Sequence, residues 1–146
     1  MGDGSWWGQL LLVAAGLHVG LELVVHLVVY PALADSSGGP VTDARRAHQT
    51  HMRRMSVAVA PVYGLLAIAT VGLVVVDPTP FRLACLGLVV ATFAVTALAA
   101  VPAHEAIVRE PDPAARAALH RRLAHADRGR LLLAVGLLAL AWVAAG

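Results

Sequence analysis

Residues 16–31, GLHVGLELVVHLVVYP, are apolar enough to cross a bilayer, yet they carry His18, Glu22 and His26. At about 100° per residue, the i, i+4, i+8 spacing keeps these three groups on one slowly drifting stripe of a single helix. An ionised acid near the bilayer centre costs about 2.5–3.5 kcal/mol on insertion scales. Glu22 therefore needs a partner, and an intramembrane ionisable residue of this kind is read first as functional.

The whole chain supports a membrane reading. Of its 146 residues 59% are hydrophobic and 14% charged, and the mean hydropathy is +0.75. Those values lie outside the soluble range, and the length suits one domain. Apolar segments fall at about 6–30, 56–76, 81–101 and 129–145. The last is apolar only from Leu131 and reaches span length by starting near Arg128 or Arg130, whose side chains would snorkel to the interface. Trp6, Trp7, Tyr30 and Trp142 are expected at headgroup level. Spans two and three are joined by the tight turn 77–80, DPTP. Residues 35–40, DSSGGP, read as a flexible break, with Thr42 capping the helix that leads into span two. Pro61 is expected to kink that helix, Pro111 and Pro113 to end the third span's extension, and Gly129 to bend the entry into span four. The expected fold is all-α: an integral membrane antiparallel four-helix bundle, one four-span domain with cytoplasmic helical extensions.

All 11 basic residues are arginine, and ten of them lie between spans one and two or between spans three and four. The positive-inside rule then places those connections in the cytoplasm and both termini outside the cell membrane. The same distribution argues against reading the pI near 9.3 as a nucleic-acid footprint. The N-terminal MGDGSWW lacks a basic n-region, so the first helix is expected to insert and stay. The single cysteine, Cys85, excludes an intrachain disulfide and a Cys-based zinc motif. In this topology all seven histidines fall in the inner half of the bundle or at its border.

Three chemistries fit such a set. A metal site would draw on His18, Glu22, His48, His51 and His104, since imidazoles and carboxylates suit iron, copper or zinc. Met52 and Met55 would add soft ligands for copper. Metal-free acid/base chemistry would rest on Glu22, His18 and His104, trading a proton in a dry site, as an isomerase, cyclase or cofactor-free oxygenase does. Haem would need two axial histidines from different helices, His18 or His26 opposite His104, with His26 and His120 as further cofactor-binding candidates.

Each residue also has a plainer reading. His48, His51, His120 and His125 lie in Arg-rich helices and can form a solvated face. His18 and His104 can bond a neighbouring helix for packing alone. Thr92 and Thr96 extend a polar line toward His104, although membrane threonines usually bond their own backbone. Glu105 and Arg109 form a surface i, i+4 pair. Arg121, Arg122 and Arg128 suit anionic lipid heads. Met52 and Met55 are ordinary gap fillers, and Cys85 faces lipid or a helix neighbour.

The Tyr30-Pro-Ala-Leu33 turn closing span one, the polar helix with His48 and His51, and Val101-Pro-Ala-His-Glu105 closing span three together resemble the small four-span proteins of the anthrone-oxygenase-like group. Pro102, Ala103 and His104 take the place of that group's proline motif. The resemblance implies an oxygenase or oxidase for lipophilic, often polyketide-like, molecules. A similar layout in four-span copper-resistance-type domains implies metal handling instead.

The expectation is a small membrane oxidoreductase acting on a lipophilic small molecule at a His/Glu-lined intramembrane site. A transition metal, iron or copper, is its candidate cofactor ahead of haem. Its expected partners are the substrate, membrane lipids and a second copy in a homo-oligomer. The alternatives are a non-catalytic metal- or haem-binding protein and a metal-free isomerase or cyclase. A pump or channel is disfavoured, because the outer halves of the spans offer almost no polar lining.

Overall fold

The computed structural model describes residues 3–36 and 41–145, and every long element in it is helical. The first rod consists of α1 (Asp3–Val24), a π-helical turn (Val25–Val29) and α2 (Tyr30–Ser36). The second is α3 (Val41–Val76). The third is α4 (Pro80–Val95), a second π turn (Thr96–Ala100) and α5 (Val101–Arg109), and the fourth is α6 (Pro113–Ala145). The candidate spans Trp6–Leu33, Arg45–Val76, Pro80–Arg109 and Pro113–Ala145 have mean hydropathies of 2.1, 2.3, 2.4 and 1.6. A helix of 28 residues is about 42 Å long, against a hydrocarbon core of about 30 Å. The chain is a multi-pass membrane helical bundle.

The rods close into a ring. α1 packs against α3 and α6, and α4 packs against the same two, so α1 and α4 stand diagonally. At the end that holds the termini the interior is built from Leu11, Ala14, Ala15, Leu66, Ala69, Leu73, Cys85, Val89, Leu137 and Ala141, and the buried Thr70 there donates its hydroxyl to the Leu66 carbonyl of its own helix. The outer faces carry exposed Val57, Leu98, Leu132 and Trp142, which suit lipid contact. Polar side chains are instead drawn inward in the other half, where His18, Glu22, His48, Thr92, His104, Asp127 and Arg130 are buried. That inversion is what a hydrocarbon solvent selects.

Both π turns have the same cause. Each ends one residue before an X-Pro step, at Tyr30-Pro31 and Val101-Pro102, and the backbone N–H of Tyr30 reaches Val25 while that of Val101 reaches Thr96. A proline ring clashes with the carbonyl four residues earlier and offers it no hydrogen; a widened turn relieves the clash without breaking the rod. Pro61 achieves less, since α3 runs through it unbroken. Nor does Gly129 interrupt α6, which is one continuous helix from Pro113.

The helix ends follow side-chain chemistry. Asp112 caps α6, its carboxylate accepting from the backbone N–H groups of Ala114 at 3.2 Å and Ala115 at 3.0 Å, with Pro113 at the first position where no N–H is needed. Thr79 caps α4 by accepting from the N–H of Arg82. α3 starts at Val41, so Thr42 lies inside the helix rather than capping it; most of the expected break at 35–40 lies outside the described residues. Cys85 faces the apolar interior and not lipid.

Close packing at the apolar end depends on two glycines. A Cβ on Gly8 would run into the Ala144 carbonyl of α6, and one on Gly72 into the Trp7 ring. Gly16 and Gly20 have open space beside them. Gly8→Ala is therefore expected to destabilise the detergent-solubilised protein by about 1–3 kcal/mol, the usual range for overpacking. Gly20→Ala should leave its thermal midpoint unchanged or raised.

Candidate functional site

Depth along the rods divides the polar interior into two layers. At about 1.5 Å per residue, Glu22 lies about 24 Å from Trp6, Tyr63 about 20 Å from Val76 and Arg130 about 18 Å from Trp142. These three side chains form a layer within the hydrocarbon. His120 lies about 33 Å from Trp142, and His51 about 38 Å from Val76, which puts a second layer at the opposite membrane border.

The deeper layer is built around Arg130. One terminal nitrogen of its guanidinium stands 3.0 Å from Asp127 Oδ1 and 3.2 Å from Glu22 Oε2, and donates to the Tyr30 hydroxyl at 3.4 Å. Asp127 and Arg130 are one turn apart on α6, so the pair is local, and Glu22 joins it from α1. The other Asp127 oxygen meets His26 Nδ1 at 2.7 Å. His18 lies one turn before Glu22, with Nε2 3.3 Å from Oε1, at ion-pair distance but off the angle of a hydrogen bond. Its ring meets Tyr63 edge-on at 5.4 Å, and the Tyr63 hydroxyl shares a 2.9 Å hydrogen bond with Thr96 Oγ1. Two carboxylates thus face one guanidinium. In a low-dielectric interior the layer is balanced when one further proton is held among the imidazoles and carboxyls.

The second layer is histidine. His104 of α5 and His48 of α3 share a hydrogen bond between Nδ1 and Nε2 at 3.0 Å, with ring centres 5.0 Å apart. His51 lies 6.3 Å from His48 and 6.2 Å from His104, and His120 of α6 lies 6.2 Å from His48. His48 and His51, three residues apart, share one face of α3. His125 takes no part: it is exposed and bonds the Arg121 carbonyl on its own helix.

A cavity of about 310 Å³ joins the layers. Its lining combines the polar groups of Glu22, Arg130, Tyr30, Tyr63, Thr96, His51 and His104 with apolar ones, Leu21, Val25, Met52, Met55, Val59 and Val101 among them. Both π turns contribute to its wall through Val25, Thr96 and Ala100. Widened turns here aim side chains that a regular helix would rotate away.

Several expectations change. The five candidate metal ligands do not converge: His18 and Glu22 belong to the Arg130 layer, and His48, His51 and His104 to the histidine layer. Among the described residues no three donors already stand as a ready coordination shell. Arg130 does not snorkel; at 8% exposure it is buried. Tyr30 reaches inward to Arg130 rather than marking the headgroups. His48 is buried at 3%, and His51 and His120 are half-buried, so these three do not form a solvated face. Thr96 lines the cavity while bonding its own backbone at Thr92. Glu105 and Arg109 are the exposed pair expected.

Sequence reasoning passed over Asp127 and Tyr63. The available signal for Asp127 was its position as the sole acid in 114–146, one turn before Arg130. Tyr63 is a lone aromatic in the second span, two residues past Pro61.

Fold and site together define an all-α, multi-pass membrane bundle with a charged interior layer and a histidine layer around one cavity. No family model matches the chain, and no curated protein or solved structure matches it either.

Removing one member of a buried charged group strands the others, at a cost of about 3–5 kcal/mol. Asp127→Ala, which leaves His26 without its acceptor and Arg130 with Glu22 as its one remaining carboxylate, should lower stability in detergent by that order. Tyr63→Phe, which removes one shared hydrogen bond, should cost about 1 kcal/mol. Equal losses in the two variants would contradict the charge-layer geometry.

Proposed function

We propose that the protein is a small membrane enzyme of oxidoreductase type that takes a lipophilic, carbonyl- or phenol-bearing molecule from the bilayer and activates it by proton transfer. The observation that carries this reading is the mixed lining of the cavity, in which aliphatic and thioether groups accompany Glu22, Arg130 and Tyr63. The apolar part of the lining suits a hydrocarbon skeleton, and a handful of polar groups fixes its orientation.

Glu22 is the base in this reading. It removes a proton from the substrate's carbon or oxygen acid, and His18, one turn away, can hold that proton. Arg130 and the Tyr63 hydroxyl stabilise the negative oxygen that develops, in a site where water is scarce. The enolate or phenolate so formed is electron-rich enough for dioxygen to oxidise. Proton transfer back at a different carbon would give an isomerase or cyclase, so the product distinguishes the outcomes. The position of Arg130 favours acid/base work over a metal at Glu22, because the guanidinium already occupies the cationic place beside that carboxylate.

In this reading the histidine layer and the long Arg-bearing connections face the cytoplasm, with both termini outside. A single cysteine placed at exposed Gln49 should resist impermeant maleimide applied to intact cells, since the native Cys85 is buried; labelling there would reverse the orientation.

The activity is tested by incubating nanodisc-embedded protein in air with polycyclic phenols and ketones and following the products by mass spectrometry. An oxidised product is expected, formed about 10²–10⁴ times more slowly by Glu22→Gln, the usual contribution of a positioned base. His125→Ala should match the wild type. Turnover indifferent to Glu22→Gln would remove the basis of the reading.

A further inference from the structure

The charged layer accounts for Glu22, His18, Tyr63 and Arg130 but leaves four histidines without a task. We propose that His48, His51, His104 and His120 bind one late first-row transition-metal dication at the inner mouth of the cavity.

The argument is geometric. A metal–imidazole bond of about 2.0–2.1 Å puts each ring centre about 3.2 Å from the ion, so rings sharing a tetrahedral ion stand about 5.2 Å apart. The His48 and His104 centres are 5.0 Å apart, and the pairs His48–His120, His51–His104 and His48–His51 are separated by 6.2, 6.2 and 6.3 Å. The 3.0 Å separation of His104 Nδ1 and His48 Nε2 is close to that of two donors on one tetrahedral ion, about 3.3 Å. An ion entering there would replace this hydrogen bond, and side-chain rotation would bring His51 about 1 Å closer to His48 and His104 and His120 about 1 Å closer to His48. The donors come from three helices, α3, α5 and α6, so the scaffold holds the site without a loop.

The donor set also selects the ion. Imidazole nitrogen suits iron, nickel, copper and zinc, whereas magnesium and calcium need oxygen ligands. No carboxylate contact to these four rings occurs among the described residues: Glu105, next to His104, is exposed and paired with Arg109. Arg116 lies one turn before His120 on α6, and its positive charge works against a bound cation. Four neutral ligands would leave the ion its full charge. His51 and His104 both line the cavity, so that charge would attract an anionic oxygen of the cavity's occupant.

The site stands on ring geometry and not on the proton-transfer reading, and the two can fail separately. The test is titration of chelator-treated, detergent-solubilised protein with Co²⁺, following the visible d–d bands of four-coordinate cobalt. One equivalent is expected. Affinity should fall at least about tenfold in His48→Ala and His104→Ala, and also fall in His120→Gln, with wild-type binding in His125→Ala, His18→Ala and Glu22→Gln. If the buried-site variants do not give monodisperse protein, His51→Gln and His120→Gln at half-buried positions carry the test. Absence of binding, binding that survives the His48, His104 and His120 changes, or loss in Glu22→Gln instead would overturn the site. Cobalt binding retained in Glu22→Gln while turnover is unaffected would sink the proton-transfer reading alone.

Discussion

The interior depends on one guanidinium. Arg130 lies within the hydrocarbon depth of the bundle, where an unpaired charge is prohibitive, and it is held there by Asp127 on its own helix and Glu22 on α1. Those contacts impose the register of the first and fourth rods. They also fix His18 and His26, one turn either side of Glu22 on the first rod, against the same charged group, since one stands beside Glu22 and the other bonds Asp127. The rest of the packing is compatible with many small slides of apolar helices, because lipid tails and leucine side chains offer each other little preference. A buried charge group with fixed partners offers few alternatives.

The prolines complete the arrangement. Pro31 and Pro102 follow the two π turns, and those turns bring Val25, Thr96 and Ala100 to the cavity wall. Beyond them the chain continues as α2 and α5, which carry Tyr30 and His104 toward the centre. Helix irregularity, charge pairing and cavity thus occupy one depth. The histidine layer sits just past it, where rods two, three and four begin to meet water.

Much of this architecture was legible before any coordinates. Hydropathy alone located the four spans, and the stripe of His18, Glu22 and His26 announced a polar interior, because three polar groups on one helical face require something opposite them. The same reasoning could not find that something. Arg130 and Asp127 lie at the edge of an Arg-rich segment, and by composition they belong with solvated or snorkelling residues; only the continuity of α6 through Gly129 carries them into the bundle. For the same reason His48 and His120, although named as candidate ligands, could equally be read as part of a solvated face. Tyr63 has no sequence partner at all, since its contacts with His18, Thr96 and Phe93 come from other rods. Local pattern reports which face of a helix is polar, whereas the identity of the facing group depends on helix register between distant segments.

The most direct test of the central claim is a double-mutant cycle between Glu22 and Arg130, measured as thermal or denaturant stability in detergent with Glu22→Gln, Arg130→Gln and the pair together. If the two side chains share one buried ion pair, each single change is costly and the double change costs clearly less than their sum. The coupling energy should then be about 2 kcal/mol, within the 0.5–3 kcal/mol range usual for residues in contact. Additive losses, with no coupling, would contradict the placement of Arg130 beside Glu22 and with it the account of the interior.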